Sequence, residues 1–257
     1  MPPPAPTAPT RSRLTDMPIL LLTRPRAQSD RFAASLTGCL ARLPRVVTPL
    51  IDIVQQPLTL DPTPYATLIF TSENGVASFA AQSPLRARPA WCVGPRTEAA
   101  AREAGLAVTH RPDGGTAEAL ITALRAAHPD TPLLHLRGAH AVTDLSGRLS
   151  AAGLACDEAV VYAQQEVAPT PEALALLAGA RPVLLPLFSP RSARLAARMM
   201  PEPHAQAPVH VVAISEAAAA RWRAARQTSA DTVTVARQPD ATGMIAALTG
   251  ACERLSA

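Results

Sequence analysis

The stretch Leu68-Ile69-Phe70-Thr71-Ser72-Glu73-Asn74-Gly75-Val76 decides how the rest of the chain reads: an apolar strand, a hydroxyl pair, and the start of a helix. A weaker copy follows as Leu185-Pro186-Leu187-Phe188-Ser189-Pro190-Arg191-Ser192. In an open α/β sheet such a junction is where ligands sit, because the first N–H groups of the helix lack carbonyl partners and point at whatever binds there. Two junctions imply two lobes and a cleft.

Outward from these junctions, apolar runs of strand length alternate with Ala-rich amphipathic segments, the pattern of βαβ units and parallel sheets. Strands are expected at 19–23, 45–48, 68–71, 90–93, 106–109, 132–136, 158–162, 183–188, 209–214 and 232–235. Helices are expected at 27–42, 74–81, 96–104, 116–127, 141–151, 171–179, 191–200, 216–226 and 242–254. The second half echoes the first at an offset of roughly 120 residues, a period of domain duplication and not of a solenoid. Phe70-Thr71-Ser72 is answered by Phe188-Ser189-Pro190, the run from Trp91 to Ala100 by that from Val211 to Ala219, and the run from Arg111 to Leu120 by that from Arg237 to Met244.

Two Pro-bounded segments without helix character, Thr48 to Pro57 and Tyr162 to Pro169, read as crossings between lobes. Two crossings mean that one lobe is inserted into the other. The expected organisation is a disordered Pro-rich extension over 1–16, a discontinuous lobe over 17–48 plus 169–257, paired connector strands at 49–56 and 163–168, and an inserted lobe over 57–162. Met17-Pro18-Ile19 opens the first strand, so Met17 is either the true start or the first ordered residue.

The 257 residues fit two domains of ordinary size. Hydrophobic residues make up 48% and aromatics 3%, so the cores are built from Ala, Leu and Val. The net charge is +4, and all 24 basic residues are arginine, whose planar fork suits carboxylates and phosphates. Genomic composition bias also accounts for the missing lysines. Because the arginines are scattered, no nucleic-acid surface is indicated, and a small acidic ligand fits better. Cys39, Cys92, Cys156 and Cys252 are far apart and lack any CxxC spacing, which reads as a reduced, cytoplasmic protein. No apolar run approaches the roughly 18 residues of a membrane helix.

The chain has no GxGxxG or GxxxxGK[ST] phosphate loop and no GxSxG elbow. His135 and His140, five apart, do not share a helix face, and no carboxylates cluster with them, so no metal is expected. His135 reads as a strand residue and His140 as a loop residue. Thr71, Ser72 and Asn74 cap a helix, bind a ligand, or do both. The same holds for Gly94 and Thr97 in Gly94-Pro95-Arg96-Thr97. Arg137 ends a strand in Leu136-Arg137-Gly138, either as a solvated charge or as a carboxylate partner. Tyr162 is either an amphipathic side chain at a lobe boundary or a phenol able to exchange a proton with a leaving hydroxyl.

The ordered set of motifs resembles the uroporphyrinogen-III synthase family. It comprises Leu22-Thr23-Arg24-Pro25, Phe70 to Val76, Val93-Gly94-Pro95-Arg96-Thr97, Leu136-Arg137-Gly138, Val161-Tyr162, Phe188-Ser189-Pro190 and Pro239-Asp240-Ala241-Thr242-Gly243. The resemblance implies two flavodoxin/Rossmann-like α/β lobes, the second inserted into the first through a two-stranded connector. It also implies a monomer that binds hydroxymethylbilane, expels its hydroxyl, inverts the terminal pyrrole ring and closes the macrocycle, with no metal or organic cofactor. On that resemblance Tyr162 is the leading candidate to assist loss of the hydroxyl. Arg24, Thr71, Ser72, Asn74, Gly94, Thr97, Arg137, Gly138, Ser189 and Ser215 become substrate-binding candidates. One departure stands out: where the family commonly has Gly-Pro-Thr-Thr, this chain has Ser215-Glu216-Ala217-Ala218, leaving one hydroxyl beside a carboxylate that would repel an acidic substrate. The competing readings are a non-catalytic two-lobe binder of an anionic small molecule and a synthase fold retained for protein contacts.

Overall fold

The computed structural model describes residues 17–140, 143–200, 207–226 and 231–256, so the extension expected over 1–16 lies outside the described residues. Numbered along the chain, the strands are β1 (Ile19–Leu22), β2 (Arg45–Val47), β3 (Ile51–Gln55), β4 (Thr67–Phe70), β5 (Pro89–Cys92), β6 (Ala107–His110), β7 (Leu133–Gly138), β8 (Cys156–Glu166), β9 (Val183–Leu187), β10 (Val209–Ala213) and β11 (Thr232–Val235). The helices are α1 (Arg26–Ala34), α2 (Gly38–Ala41), α3 (Glu73–Gln82), α4 (Pro95–Glu103), α5 (Ala117–Ala127), α6 (Leu145–Ser150), α7 (Pro171–Ala178), α8 (Pro190–Met199), α9 (Glu216–Ala225) and α10 (Ala241–Ser256). The strand expected at 158–162 and the connector strand expected at 163–168 are one continuous strand, Cys156–Glu166. The single helix expected over 27–42 is two, because the Ser35 hydroxyl donates to the Phe32 carbonyl at 2.7 Å and Gly38 turns the chain at φ +60°.

The chain divides into two compact units, the first formed by the segments up to Asp52 and from Glu166, the second by Ile53–Gln165. In the first unit the strands lie in the order β11-β10-β9-β1-β2, all parallel. Ile19–Leu22 is buried at every position, as a strand covered on both faces must be. Two apolar layers account for it. Leu21, Leu185 and Val211 pack with Trp222 on one face, and Leu20, Leu22, Leu184 and Val212 pack with Phe32, Met244 and Leu248 on the other.

In the second unit the order is β3-β8-β7-β4-β5-β6. The strands from β8 to β6 pair in parallel, and Leu68, Phe70, Leu134 and Leu136 meet Phe79 on one face while Ile69 and Leu133 meet Leu120 and Leu124 on the other. At the outer edge β3 runs against β8. The Gln56 N–H donates to the Val161 carbonyl at 2.9 Å and the Val167 N–H to the Leu50 carbonyl at 3.2 Å, numbers that rise on one strand as they fall on the other.

The two sheets are cyclic permutations of one another. Set side by side, β2-β1-β9-β10-β11 matches β8-β7-β4-β5-β6, but the first pair of strands opens one unit and closes the other. The orders are the flavodoxin-like and Rossmann-like arrangements of doubly wound sheets. Each sheet therefore has one switch point, between β1 and β9 in the first unit and between β4 and β7 in the second, where ligands of such sheets bind at the carboxyl ends of the strands.

Candidate active site at the strand ends

In the second unit, α3 starts immediately after β4. Ser72 is its N-cap and accepts a hydrogen bond from the Asn74 N–H at 3.2 Å, with Glu73 in the first turn. Gly75 lets this helix start press onto β7: a Cβ there would lie 2.8 Å from the Leu136 carbonyl oxygen. Thr71 is half-buried, and its Oγ1 stands 3.0 Å from Nε2 of His135, a neighbouring β7 residue only 2% exposed. Burial pushes the His135 imidazole down to about 4, with Glu158 working against the shift and Arg137 adding to it. It is neutral at physiological pH.

Tyr162 reaches the same rim through an irregularity in pairing. Arg137 pairs with Val160 but Gly138 pairs with Tyr162, so β8 carries one extra residue there. The bulge aims the phenol across Gly138, where a Cβ would lie 2.6 Å from Cζ and 2.9 Å from Oη. The Ala139 N–H donates to the Tyr162 carbonyl at 2.9 Å and fixes the backbone in that register. The ring is 9% exposed and packs with Phe70, Val76 and Leu136. Thus Thr71, Ser72, Asn74, Gly138 and Tyr162 gather at the second unit's switch point.

Arg137 is at the same strand end but is engaged locally. Its guanidinium pairs with Glu158 and donates to the Gly138 carbonyl at 2.8 Å. Glu158 is held below the usual carboxylate range chiefly by that arginine, against burial and with help from the Ser146 hydroxyl at 2.8 Å. Gly94 and Thr97 sit one strand further out. Gly94 precedes α4 as its N-cap, and Thr97, in the first turn of that helix, is 5% exposed.

In the first unit, Ser189 and Ser192 form a reciprocal capping box at the start of α8, each backbone N–H donating to the other hydroxyl at 3.0 Å. Arg24, just past β1, lies over the Phe188 ring at 4.4 Å and donates to Gln28 Oε1 from Nε at 3.1 Å and Nη2 at 2.8 Å. Phe32 meets Phe188 edge-on, with centroids 4.9 Å apart. Ser215 caps α9 by accepting from the Ala218 N–H at 3.4 Å, with Glu216 in its first turn.

Register between the units corrects the expected motif match by one residue. Phe70 pairs with Cys92 and Leu187 with Ala213, so the two helix caps Ser72 and Ser189 correspond, as do Gly94 and Ser215. Thr71 then corresponds to Phe188 and not to Ser189. The β1 and β7 registers make Arg24 and Arg137 counterparts at the two switch points. Sequence reading missed Phe188 as the aromatic bed for Arg24 and His135 as the partner of Thr71. The Arg24/Gln28 spacing and a histidine at a strand end were the available signals.

A cavity of about 690 Å³ lies elsewhere, lined by Leu58, Leu60–Thr63 and Gln82–Ala87. It precedes the amino ends of β4 and β5 and faces away from the helix starts that would hold an acid. Among the described residues no three His, Cys, Asp or Glu side chains could hold a metal ion, and no helix is long and apolar enough to cross a membrane. Burial pushes the Cys92 and Cys156 thiols up to about 12, which leaves them protonated and unreactive.

Residues 45–246 match the family model described as "Uroporphyrinogen-III synthase HemD". The chain belongs to the uroporphyrinogen-III synthase family. Its fold agrees with that of one protein of known structure in particular. The uroporphyrinogen-III synthetase of Helicobacter pylori 26695 aligns with a TM-score of 0.63 at 19% identity, over 91% of this chain and 99% of the other. A mutant uroporphyrinogen III synthase of the extremely thermophilic bacterium Thermus thermophilus aligns with a TM-score of 0.47 at 15% identity, over 93% and 99%. No curated protein matches the chain in sequence.

Proposed function

We propose that the chain converts hydroxymethylbilane to uroporphyrinogen III, releasing one water, and that the strand-end rims hold the substrate. The observation that carries this reading is the convergence of the family match with a rim where Tyr162, Gly138 and the Ser72-capped helix start meet. Loss of the terminal hydroxyl as water generates an electrophilic azafulvene. Attack by the substituted carbon of the last pyrrole ring gives a spiro intermediate, and its cleavage and re-closure leave that ring inverted. No redox change occurs. The protein's work is to hold the ends of a flexible chain together and to aid departure of the hydroxyl.

In this reading Tyr162 donates to the departing hydroxyl, Thr71, Ser72 and Asn74 meet substrate carboxylates at the helix start, and Arg24 and Ser189 do so in the first unit. Gly94, Thr97, Gly138, Arg137 and Ser215 complete the proposed set, with Arg137 acting through its hold on Glu158 and the Gly138 carbonyl. The protein acts as a cytoplasmic monomer without metal or organic cofactor.

The test is to supply enzymatically generated hydroxymethylbilane and resolve the product isomers. The type III isomer is expected, and formation of the spontaneous type I isomer alone would overturn the reading. Tyr162→Phe is expected to lower kcat by about tenfold with little change in KM, the loss of one hydrogen bond made mainly in the transition state. An unchanged kcat would reduce Tyr162 to a packing residue.

A further inference from the structure

His135 Nδ1 is buried and has no hydrogen-bond partner among the described residues, whereas Nε2 lies 3.0 Å from Thr71 Oγ1. A neutral imidazole carries one proton, and the two places for it are unequal. On Nδ1 it would leave a buried N–H donor unsatisfied and require Thr71 to donate inward. On Nε2 it leaves only a bare lone pair unsatisfied, a lesser fault than an orphaned N–H. The ring is then the donor and Thr71 Oγ1 the acceptor. That bond leaves the single hydroxyl proton of Thr71 for another acceptor.

The surroundings select where that acceptor is. His135 is in register with Ile69 of β4 and Glu158 of β8, so its ring lies within the sheet's buried layer, and Glu158 is occupied by Arg137 and Ser146. Thr71 is half-buried at the end of β4, next to the Ser72 cap. We propose that His135 is a positioning residue that donates its Nε2 proton to Thr71 and thereby turns the Thr71 hydroxyl into an outward donor for a substrate carboxylate. The ligand half of this proposal rests on the synthase reading given above. The tautomer half does not.

Two measurements test it. In ¹⁵N-labelled full-length protein, the ring nitrogens of His135, assigned by their loss in His135→Gln, are expected to show one proton fixed on Nε2. A proton on Nδ1, or an average of both forms, overturns the proposal. In steady-state kinetics His135→Leu and Thr71→Val are each expected to raise KM by about tenfold, with a much smaller effect on kcat. The double variant should be no worse than either single one, and His135→Gln, whose amide N–H can still donate, should recover part of the loss. Additive losses overturn the proposal, because a merely structural histidine would not act through Thr71. If His135→Leu fails to fold, the spectrum of the unmodified protein and the partly exposed Thr71→Val still decide. The spectrum needs no substrate, so failure of the functional reading would appear separately in the isomer assay.

Discussion

Replacing Gly138 by alanine is expected to lower kcat by about a hundredfold, more than removing the Tyr162 hydroxyl does, because it displaces the whole phenol. An added Cβ would sit 2.6 Å from Cζ, 2.8 Å from Cε2 and 2.9 Å from Oη of Tyr162. Carbon atoms do not approach that closely, so one of the two must move. Gly138 is the end of β7 and is held in its register, whereas the ring tip is the far end of a side chain with two torsions. The ring therefore yields, at a stability cost of about 1–3 kcal/mol for overpacking, and its hydroxyl leaves the rim. Gly75 provides the contrast. Its added Cβ would meet the Leu136 backbone oxygen at 2.8 Å, and backbone cannot swing aside, so there the same substitution strains the junction itself. The measurement is kcat alongside thermal unfolding for Gly138→Ala. A full kcat in a folded variant would show that the phenol's place across Gly138 has no part in the reaction.

Much of this architecture was written in local patterns. The apolar runs around Leu20, Ile69 and Leu185 are buried throughout, and their strand length and their alternation with amphipathic helical segments mark them as strands of a covered parallel sheet. Caps at Ser72, Thr116, Ser189 and Ser215 fall where hydroxyl residues precede helices. The break near Ser35 was not legible, because Leu36 and Leu40 continue the apolar helical spacing across it and both are buried. Neither was the cyclic permutation. A similar offset relates β4, β5 and β6 to β9, β10 and β11, but the remaining strand pair lies on the other side of its partners in the chain, where that offset cannot find it.

At the candidate site the legible part was the backbone and the hidden part was the partnering of side chains. A strand-end arginine looks the same in sequence whether it is available or engaged. Arg137 is taken by Glu158, 21 residues away along the chain, and Arg24 lies on Phe188, which arrives from a strand far along the sequence. Such choices depend on which strands become neighbours. The two arginines are counterparts by register, yet one lies on an aromatic ring and the other in an ion pair, so the duplicated sheets present unlike surfaces at like positions.

Acid should weaken this protein before its carboxylates titrate, and His135 should be the main reason. Its folded-state value of about 4 lies below the ordinary 6.5. Above pH 6.5 neither folded nor unfolded chain protonates this ring, so its burial has no pH-dependent cost. Between 6.5 and about 4 the unfolded chain binds a proton that the folded chain does not, and stability falls as pH falls. At 1.36 kcal/mol per unit the loss approaches about 3 kcal/mol by pH 4. Glu158 and Arg137, the charged groups facing the ring, pull in opposite directions and leave burial in control. His210, lowered by burial and by Arg254, adds a smaller loss of the same sign. Glu98 and Glu158, held low by their arginines, lose their contributions only as pH falls further, through their folded values. The check is urea unfolding of the native chain and of His135→Gln at several pH values from 7 to 4.5. The native chain should lose stability steeply over that range and the variant much less, so that their difference changes with pH. Parallel curves would mean that the ring is not buried neutral, and the donor role assigned to it toward Thr71 would fall with that result.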